Sequence, residues 1–262
     1  MPDPAAWAAS GGRQRLLELP GHVAASYIVQ RYIDEPLLLA GRKSELRTYW
    51  LVASLDPLVV LYHPGTVRLN AALYSRADYD DDLVHITNMR RQLQAASLNA
   101  SQKANHGAGL GLKWTHEQLA ADLAERGYGE TAWSKLQSQI KQIIVRAINA
   151  TRSELSERVG ETRGKFQLFG ADFIVEDSNG TLRPWLTEVQ VGPGLSHDEP
   201  VKAAIVPRMV RDAAAIGVAA VRAATVLAET VGDEGGERAA VLGAMARLGE
   251  GTVFDTLVNE AA

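Results

Sequence analysis

Residues 166–191 read FQLFGADFIVEDSNGTLRPWLTEVQV, and this stretch contains the clearest hairpin pattern of the chain. Phe166 to Val175 is rich in β-branched and aromatic residues, which favours a strand. Asp177 to Gly180 contains an Asn-Gly pair, the strongest short-range signal for a tight turn between antiparallel strands. Leu182 to Val191 has the composition of the returning strand. The sequence therefore predicts a β-hairpin.

Two acidic residues lie across this predicted hairpin from one another. Folding the chain at Ser178–Gly180 brings Asp172 nearly opposite Glu188, and cross-strand neighbours are close enough to hold one cation. Gln190 is two residues beyond Glu188 and shares its face of the strand. Because three oxygen donors with room for water and phosphate suit Mg²⁺, we predict that Asp172, Glu188 and Gln190 are magnesium ligands. The alternative is that one carboxylate is solvated and the other caps a loop.

The remaining chain mixes strands and helices without a repeat. Runs of β-branched and aromatic residues predict an antiparallel meander upstream, with strands at Tyr27–Ile33, Glu45–Ser54, Leu58–His63 and Val67–Leu69. Apolar residues three or four apart, and an N-cap at Thr115, predict helices that begin at Thr115 and cover Thr131–Glu157 and Pro200–Thr230. The sequence predicts an α+β domain over 27–230, after a weakly structured lead-in at 1–26 and before a weak helix and tail at 231–262.

Composition excludes several kinds of chemistry. The 262 residues include 27 Lys plus Arg and 31 Asp plus Glu, and this net charge of -4 gives no electrostatic reason to expect nucleic acid as a partner. Because cysteine is absent, disulfides, thiolate catalysis and Cys-bound metals are excluded. No apolar run reaches the roughly 18 residues that span a bilayer, and residues 1–10 lack the features of a secretory signal. We expect a cytoplasmic protein without a membrane partner.

Basic residues gather on or beside the predicted upstream strands. Arg42, Lys43 and Arg47 lie around the start of one strand, and Arg68 lies on its neighbour. Phosphoryl transfer needs positive charge around the moving phosphate, so the set indicates a phosphate-binding site. Taken singly, each arginine is more typical of an ordinary charged surface.

Eight short blocks between about Tyr27 and Leu195 carry a family likeness. They are VQRYI (29–33), PLL (36–38), GRKSELR (41–47), DPL (56–58), VR (67–68), HITN (85–88), FGADF (169–173) and WLTEV (185–189). In order and spacing the chain resembles the tubulin–tyrosine ligase and tubulin–tyrosine ligase-like family. The resemblance implies an ATP-grasp-like fold, in which antiparallel sheets with packed helices clamp ATP and Mg²⁺.

The resemblance also assigns roles around the nucleotide. It implies that the backbone of a hinge faces the adenine, and this hinge consists of Gln30, Arg31, Tyr32 and Ile33. Lys43 resembles the lysine that reaches the nucleotide phosphates. Thr87 and Asn88 resemble the polar pair beside the nucleotide and the substrate.

Other roles concern the substrate and the metal. Arg47 and Arg68 resemble the arginines that hold the carboxylate of the amino-acid substrate, so the catalytic candidates are Lys43, Arg47 and Arg68. The magnesium positions of the family fall on Asp172, Glu188 and Gln190, in agreement with the hairpin prediction.

The sequence departs from the family pattern at several points. Glu45 and Gln190 stand where the family usually has Asp and Asn, and Arg31 replaces a Lys. The family also carries a longer N-terminal part with a Gly-rich loop and a further ATP lysine. The 26 lead-in residues cannot supply these, so the chain resembles the C-terminal part of such an enzyme and we expect it to be a poor ligase alone.

The implied activity is ATP-dependent ligation through an acyl phosphate. The resemblance implies that a free amino acid is joined to a tubulin tail or another acidic protein tail, at the cytoskeleton or cilium. Glutamate is favoured, and tyrosine and glycine stay open. The alternatives are a pseudo-ligase that binds a tail without chemistry, and an ATP-grasp enzyme for a small molecule, which the blocks disfavour. A basic groove for the tail would be lined by Arg90, Arg91, Lys103 and Lys113, which are otherwise typical of a solvated loop.

Overall fold

The computed structural model describes residues 30–77, 79–93, 111–159, 164–229 and 236–261. The chain divides into two units, Met1–Asp34 and Glu35–Ala262. In the first unit, Gln30–Ile33 form no strand, so the predicted strand Tyr27–Ile33 is wrong over these residues. Strand propensity alone does not make a strand, and within the described part of this unit no second strand is present to pair with it. Tyr27–Val29 and the predicted lead-in at 1–26 lie outside the described residues.

The second unit contains strands β1–β7 and helices α1–α6. The strands are β1 Leu38–Leu39, β2 Arg42–Leu55, β3 Leu58–Leu69, β4 Lys113–Trp114, β5 Gln167–Ser178, β6 Thr181–Gln190 and β7 Asp255–Asn259. The helices are α1 Asp82–His85, α2 Met89–Gln92, α3 His116–Glu125, α4 Ala132–Val159, α5 Pro200–Glu229 and α6 Gly236–Ala246. Thr115 caps α3 in a capping box with Gln118, so the predicted N-cap is confirmed.

All seven strands within the described residues belong to one antiparallel sheet of order β4-β3-β2-β5-β6, to which β1 is added on β2 and β7 on β3. The predicted hairpin is β5–β6, in which Asp172 pairs with Glu188. Its turn places Asn179 and Gly180 at φ +53° and +84°, the left-handed conformation that an Asn-Gly turn requires.

β3 runs unbroken past Pro64 and Gly65, so the predicted end of a strand at His63 is wrong. The β2–β3 register shifts between Arg47 and Tyr49, opposite this point, and Gly65 takes a φ of +68°. A bulge of this kind absorbs the extra residue and lets the ladder continue. The predicted third and fourth strands are therefore one strand.

Helices cover both faces of the sheet, and alternate residues of β2 face each layer. Trp50 and Val52 lie in the core built with α3 and α4, whose members include Leu119, Leu136 and Ile140. Tyr49 and Leu51 lie in the core built with α5, whose members include Met209 and Ile216. The α+β class with an antiparallel sheet and packed helices is confirmed.

The end of the chain contributes more than the predicted weak helix and tail. α6 is present, but Asp255–Asn259 forms β7 and pairs with Val59–Tyr62 of β3. The segment is short and half-exposed, so its sequence has little of the apolar alternation that predicts a strand. Among the described helices, none is long and apolar enough to cross a membrane.

Candidate functional site

The site lies at one end of the sheet, on the face covered by α5. Along β2 the residues on this face change from apolar Leu51 and Tyr49 to charged Arg47, Glu45 and Lys43. Cross-strand partners share a face. Arg68 therefore joins Glu45 from β3, and Asp172 joins Arg47 from β5.

Arg47 and Asp172 form a buried bidentate ion pair. Arg47 NH2 donates to Asp172 Oδ2 at 2.6 Å, and Arg47 Nε donates to Asp172 Oδ1. Each side chain is 4% exposed. Burial alone would raise the pKa of Asp172, but the hydrogen bonds from Arg47 and the positive charge of Arg68 hold that pKa below its usual range. Asp172 is therefore a carboxylate at neutral pH.

Arg68 stands beside this pair without closing on it. Its NH1 lies 3.5 Å from Asp172 Oδ2 and 3.8 Å from Glu45 Oε2, and 19% of the side chain is exposed. These separations exceed an ordinary N–H···O hydrogen bond. Arg68 places one positive charge beside the two carboxyl groups, and its side chain remains partly exposed to solvent.

Glu45 is a buried carboxyl with a perturbed proton affinity. Burial and the neighbouring charge of Asp172 raise the pKa of Glu45 to about 7, against the charge of Arg68 and a hydrogen bond that Thr87 donates. The Thr87 hydroxyl donates to Glu45 Oε2. The loop that carries Thr87 is thereby tied to the middle of the cluster.

Two glycines make room for the Arg47 side chain and backbone. A Cβ on Gly170 would lie 2.9 Å from Pro193 Cβ and 3.5 Å from Arg47 Cδ. A Cβ on Gly65 would lie 1.9 Å from the Arg47 carbonyl oxygen. Real Cβ atoms do not approach other atoms so closely, so glycine at 65 leaves room for the Arg47 backbone and glycine at 170 leaves room for Pro193 beside Arg47.

The lysine and the polar pair predicted at the nucleotide come together near the start of β2. Lys43 Nζ donates to the His85 carbonyl at 2.8 Å, and burial lowers the pKa of Lys43 to about 8. Asn88 caps α2, because its side-chain oxygen accepts from Arg90 N and Arg91 N at 3.0 and 3.3 Å. The Asn88 oxygen and one Lys43 proton are thus engaged within the chain.

Two fully buried amides that sequence reasoning missed hold this loop in place. Asn70 Nδ2 donates to the Val84 carbonyl at 2.7 Å. Gln92 Nε2 donates to the carbonyls of Leu83 at 3.3 Å and Ile86 at 2.5 Å. Both residues lie in polar sequence with no distinguishing pattern, so only the folded contacts identify them.

The predicted metal ligands share one face of the β5–β6 hairpin. Asp172 lies opposite Glu188, and Gln190 lies opposite Gly170. Glu188 is exposed, whereas Asp172 is buried. Within the described residues no group of three or more His, Cys, Asp or Glu side chains is placed to hold a metal. The donor set here is two carboxylates and one amide, which suits Mg²⁺ that keeps waters or phosphate oxygens.

A cleft of about 620 Å³ opens over this face. Cations dominate its charged lining, and they are Arg47, Arg68, Arg90, Lys113 and Lys202. Lys113 Nζ lies 3.2 Å from Glu199 Oε1. The Lys113 side chain is 8% exposed and the Glu199 side chain is 0% exposed. Glu199 and Lys202 escaped sequence reasoning because they follow the hairpin in an irregular loop and a first helical turn.

The other predicted residues are distributed as follows. Arg90 and Lys113 line the cleft, Arg91 pairs with Asp82, and Lys103 lies outside the described residues. Arg42 donates to the carbonyls of Asn70 and Ala71, so it holds the end of β3 and not the phosphate site. The predicted adenine hinge at 30–33 belongs to the first unit.

The fold is α+β and ATP-grasp-like, and a cation-lined cleft lies over the cross-strand carboxylates Asp172 and Glu188. The family described as Tubulin-tyrosine ligase family matches residues 14–225. The chain belongs to the tubulin–tyrosine ligase family.

Several curated proteins are similar to this chain. Tubulin monoglutamylase TTLL4 of Homo sapiens is 31% identical over 189 residues, which cover 71% of this chain and 15% of that protein. Probable tubulin polyglutamylase TTLL9 of Rattus norvegicus is 30% identical over 172 residues, covering 65% and 34%. Probable alpha-tubulin polyglutamylase Ttll1 of Tetrahymena thermophila is 33% identical over 174 residues, covering 65% and 38%. The matched segments span less than two fifths of these relatives.

Proposed function

We propose that this chain acts as an ATP-dependent ligase that joins a free amino acid to the tail of tubulin or another acidic protein. Glutamate is the favoured amino acid, since similar proteins are described as tubulin monoglutamylase and polyglutamylases. The observation that carries the proposal is the buried Arg47–Asp172 pair, flanked by Arg68 and Glu45, beneath a cation-lined cleft. The cations that line the cleft suit substrates that bring several negative charges together.

The residues present fit Mg²⁺. Each carboxylate oxygen of Asp172 carries two lone pairs, so Asp172 can serve a metal while it accepts from Arg47. Glu188 lies opposite, on the same face as Gln190. We assign Asp172, Glu188 and Gln190 as the residues that would hold the metal, and Lys43 with the polar pair Thr87 and Asn88 as contacts of ATP.

ATP, when bound, supplies the phosphoryl group that converts a substrate carboxylate into an acyl phosphate, from which the incoming amine displaces phosphate. The protein contributes positioning and charge. Arg68 holds the carboxylate of the free amino acid, because an accessible guanidinium matches a carboxylate in a bidentate manner. Arg47, fixed by Asp172, keeps positive charge at the floor of the cleft without moving.

A transfer assay tests the proposal. Radiolabelled glutamate, tyrosine or glycine is incubated with the chain, Mg²⁺, ATP and either intact tubulin or tubulin whose acidic tails have been removed by protease. We expect slow transfer of glutamate, and to intact tubulin only. Transfer of tyrosine or glycine in its place would show that a different amino acid is the donor. Equal labelling of tail-less tubulin would exclude the tail as acceptor.

Glu188→Gln is the matched inactive variant. It removes one negative charge from the metal position and keeps the side-chain volume, and because Glu188 is exposed the fold should be unaffected. We expect Mg²⁺-dependent nucleotide binding and transfer to be lost. Unchanged affinity for Mg·ATP by calorimetry would contradict the metal assignment. Wild-type chain that binds Mg·ATP and tubulin but transfers nothing would indicate a non-catalytic binder.

A further inference from the structure

Lys202 lies in the first turn of α5 and lines the same cleft as Arg68. Its ammonium group donates to the Gly194 carbonyl at 3.1 Å and to Ser196 Oγ at 2.9 Å. Both acceptors are neutral, and an ammonium group has three protons. One proton of the Lys202 ammonium group therefore remains for another partner.

Three neighbouring cations of the cleft already lie close to carboxylates, and a fourth, Arg90, is exposed. Arg47 is bound by Asp172 and Lys113 by Glu199, and Arg68 lies within 4 Å of Asp172. For Lys202, no carboxylate oxygen within the described parts of the chain comes within ion-pair distance. Lys202 is thus a half-buried cation of the cleft without a direct ion pair among the described residues, and the carboxylates of Asp198 and Glu199 act on its charge from a greater distance.

The fold holds this charge in place at an energetic cost. Glu199, 2% exposed, accepts from Lys202 N at 2.8 Å and from Val201 N at 3.2 Å, while its ion pair with Lys113 fastens the turn to β4. Burial and the nearby positive charges of Lys113 and Arg68 lower the pKa of Lys202, against the negative charges of Asp198 and Glu199. A bound anion would relieve this repulsion, and a preorganised cation loses little freedom on binding it.

We infer that Lys202 binds the side-chain carboxylate of an acidic donor amino acid and makes the enzyme select glutamate. This inference rests on the proposed function, in which Arg68 holds the α-carboxylate. A donor with two carboxylates needs two cationic positions, and the cleft provides them on β3 and α5. Tyrosine and glycine leave the Lys202 ammonium without an anion, so they lose the charge-assisted hydrogen bond that glutamate gains.

Glutamate and its neutral isostere glutamine test the inference. Calorimetry measures the affinity of each for wild type and for Lys202→Gln, with Mg²⁺ and a non-hydrolysable ATP analogue present. We expect Lys202→Gln to lower the affinity for glutamate roughly tenfold or more, because a charge-assisted hydrogen bond is lost. The affinity for glutamine should change less than about twofold. Lys202→Arg should retain much of the preference for glutamate.

Two further variants separate the explanations. Arg68→Ala should weaken glutamate and glutamine together, because both carry the α-carboxylate. Arg208→Gln removes an exposed charge further along α5 and should change neither affinity. Parallel loss of both ligands in Lys202→Gln, wild-type binding without preference for glutamate, or binding of neither ligand would overturn the inference. Weakened binding of an acidic peptide with unchanged binding of free glutamate would also overturn it.

The proposed function fails separately from this inference. If wild type binds glutamate through Lys202 but transfers no label to tubulin, the ligase proposal is wrong and the glutamate site stands. If transfer proceeds while glutamate and glutamine respond equally to Lys202→Gln, the ligase stands and the selection by Lys202 is wrong.

Discussion

At the scale of single residues, the two arginines of the cluster differ in how much of their hydrogen-bonding capacity is used. Arg47 is 4% exposed and bidentate with Asp172, whereas Arg68 is 19% exposed and touches its carboxylates at 3.5 and 3.8 Å. A guanidinium has five donors. Arg47 is therefore a fixed part of the protein, and Arg68 is the arginine available to substrate.

Arg68→Ala should raise KM for the free amino acid by about tenfold or more, the effect of removing a charge-assisted hydrogen bond. KM for ATP should change far less. Arg68→Lys keeps the charge but not the bidentate geometry, and we expect an intermediate KM for the amino acid. Steady-state kinetics with each substrate varied in turn measures both constants. Equal effects on both would place Arg68 at the phosphates.

His63 shows how burial sets a pH dependence away from the substrate. It lies between the rings of Tyr49 and Phe254 and accepts a hydrogen bond from Gly65 N at 2.9 Å. Burial, with the nearby His116, lowers the pKa of His63 to about 4. The unfolded chain, where the pKa is near 6.5, binds this proton first as pH falls. Stability from His63 is therefore complete above about pH 6.5 and is lost towards pH 4.

Between about pH 6.5 and pH 4, His63 should lower the unfolding free energy of the wild type by about 3 kcal/mol in total, and His63→Asn should remove this loss. Asparagine does not titrate, and its side-chain oxygen can still accept from the amide two residues on. Urea unfolding at several pH values measures the slope. The exposed His197 provides a control, since His197→Asn should keep the wild-type slope. An unchanged slope in His63→Asn would contradict the prediction.

Among the strands, the sequence predicted correctly the hairpin that depends on neighbouring residues, and it did not predict the strand that depends on a distant partner. The β5–β6 hairpin and the pairing of Asp172 with Glu188 follow from the Asn179–Gly180 turn, because turn chemistry sets hairpin register. The continuity of β3 could not be predicted from Pro64 and Gly65, which usually end a strand. It depends on a bulge against β2, and a bulge is a property of the pair.

Gly65→Ala should cost about 3 kcal/mol or more of unfolding free energy, because the new Cβ would meet the Arg47 carbonyl oxygen at 1.9 Å in a left-handed backbone. Gly180→Ala is the matched control. Gly180 also has a positive φ, but a Cβ there meets nothing within 4 Å, so only the conformational cost of about 1 kcal/mol remains. Denaturant unfolding compares the two. Equal losses would show that the contact with Arg47 does not matter.

The candidate site was predictable in part for the same reason. Family blocks identified Arg47, Arg68 and Asp172, but no pattern along the sequence indicates that Arg47 binds Asp172 across 125 residues. Asn70, Gln92 and Glu199 are ordinary polar residues in sequence, and they become important because folding buries them against polar partners within the chain. The charge of Lys202 points to a ligand only once the ion pairs of Arg47 and Lys113 in the same cleft are known.

At the scale of the whole molecule, the last strand completes the sheet. β7 pairs with Val59–Tyr62, and Glu260 accepts from Leu58 N at 2.9 Å and pairs with Arg152 of α4 at 2.6 Å. Lys141 of α4 pairs with Asp255 at 2.8 Å. β7 thus joins the first hairpin to the helix that covers it.

Ending the chain at Phe254 should lower the melting temperature by about 5–10 °C, since several backbone pairs and two links to α4 are lost. It should also increase aggregation, because the truncation leaves the edge of β3 unpaired. Glu260→Gln separates the causes, since it removes the ion pair with Arg152 and keeps the strand, and its melting temperature should stay near wild type. Differential scanning calorimetry measures both. Similar melting of the truncated and full chains would show that β7 contributes little.

The ion pair of Arg47 with Asp172 lies on the seam where β2 meets β5, and this position has a kinetic consequence. The hairpins β2–β3 and β5–β6 form from neighbours along the chain, but β2 and β5 meet across a loop of more than a hundred residues. Pairings of such high contact order form slowly. During synthesis, a ribosome-bound chain presents both arginines long before their carboxylate emerges. The Arg47–Asp172 pair of the candidate site can therefore form only after β2 and β5 have met.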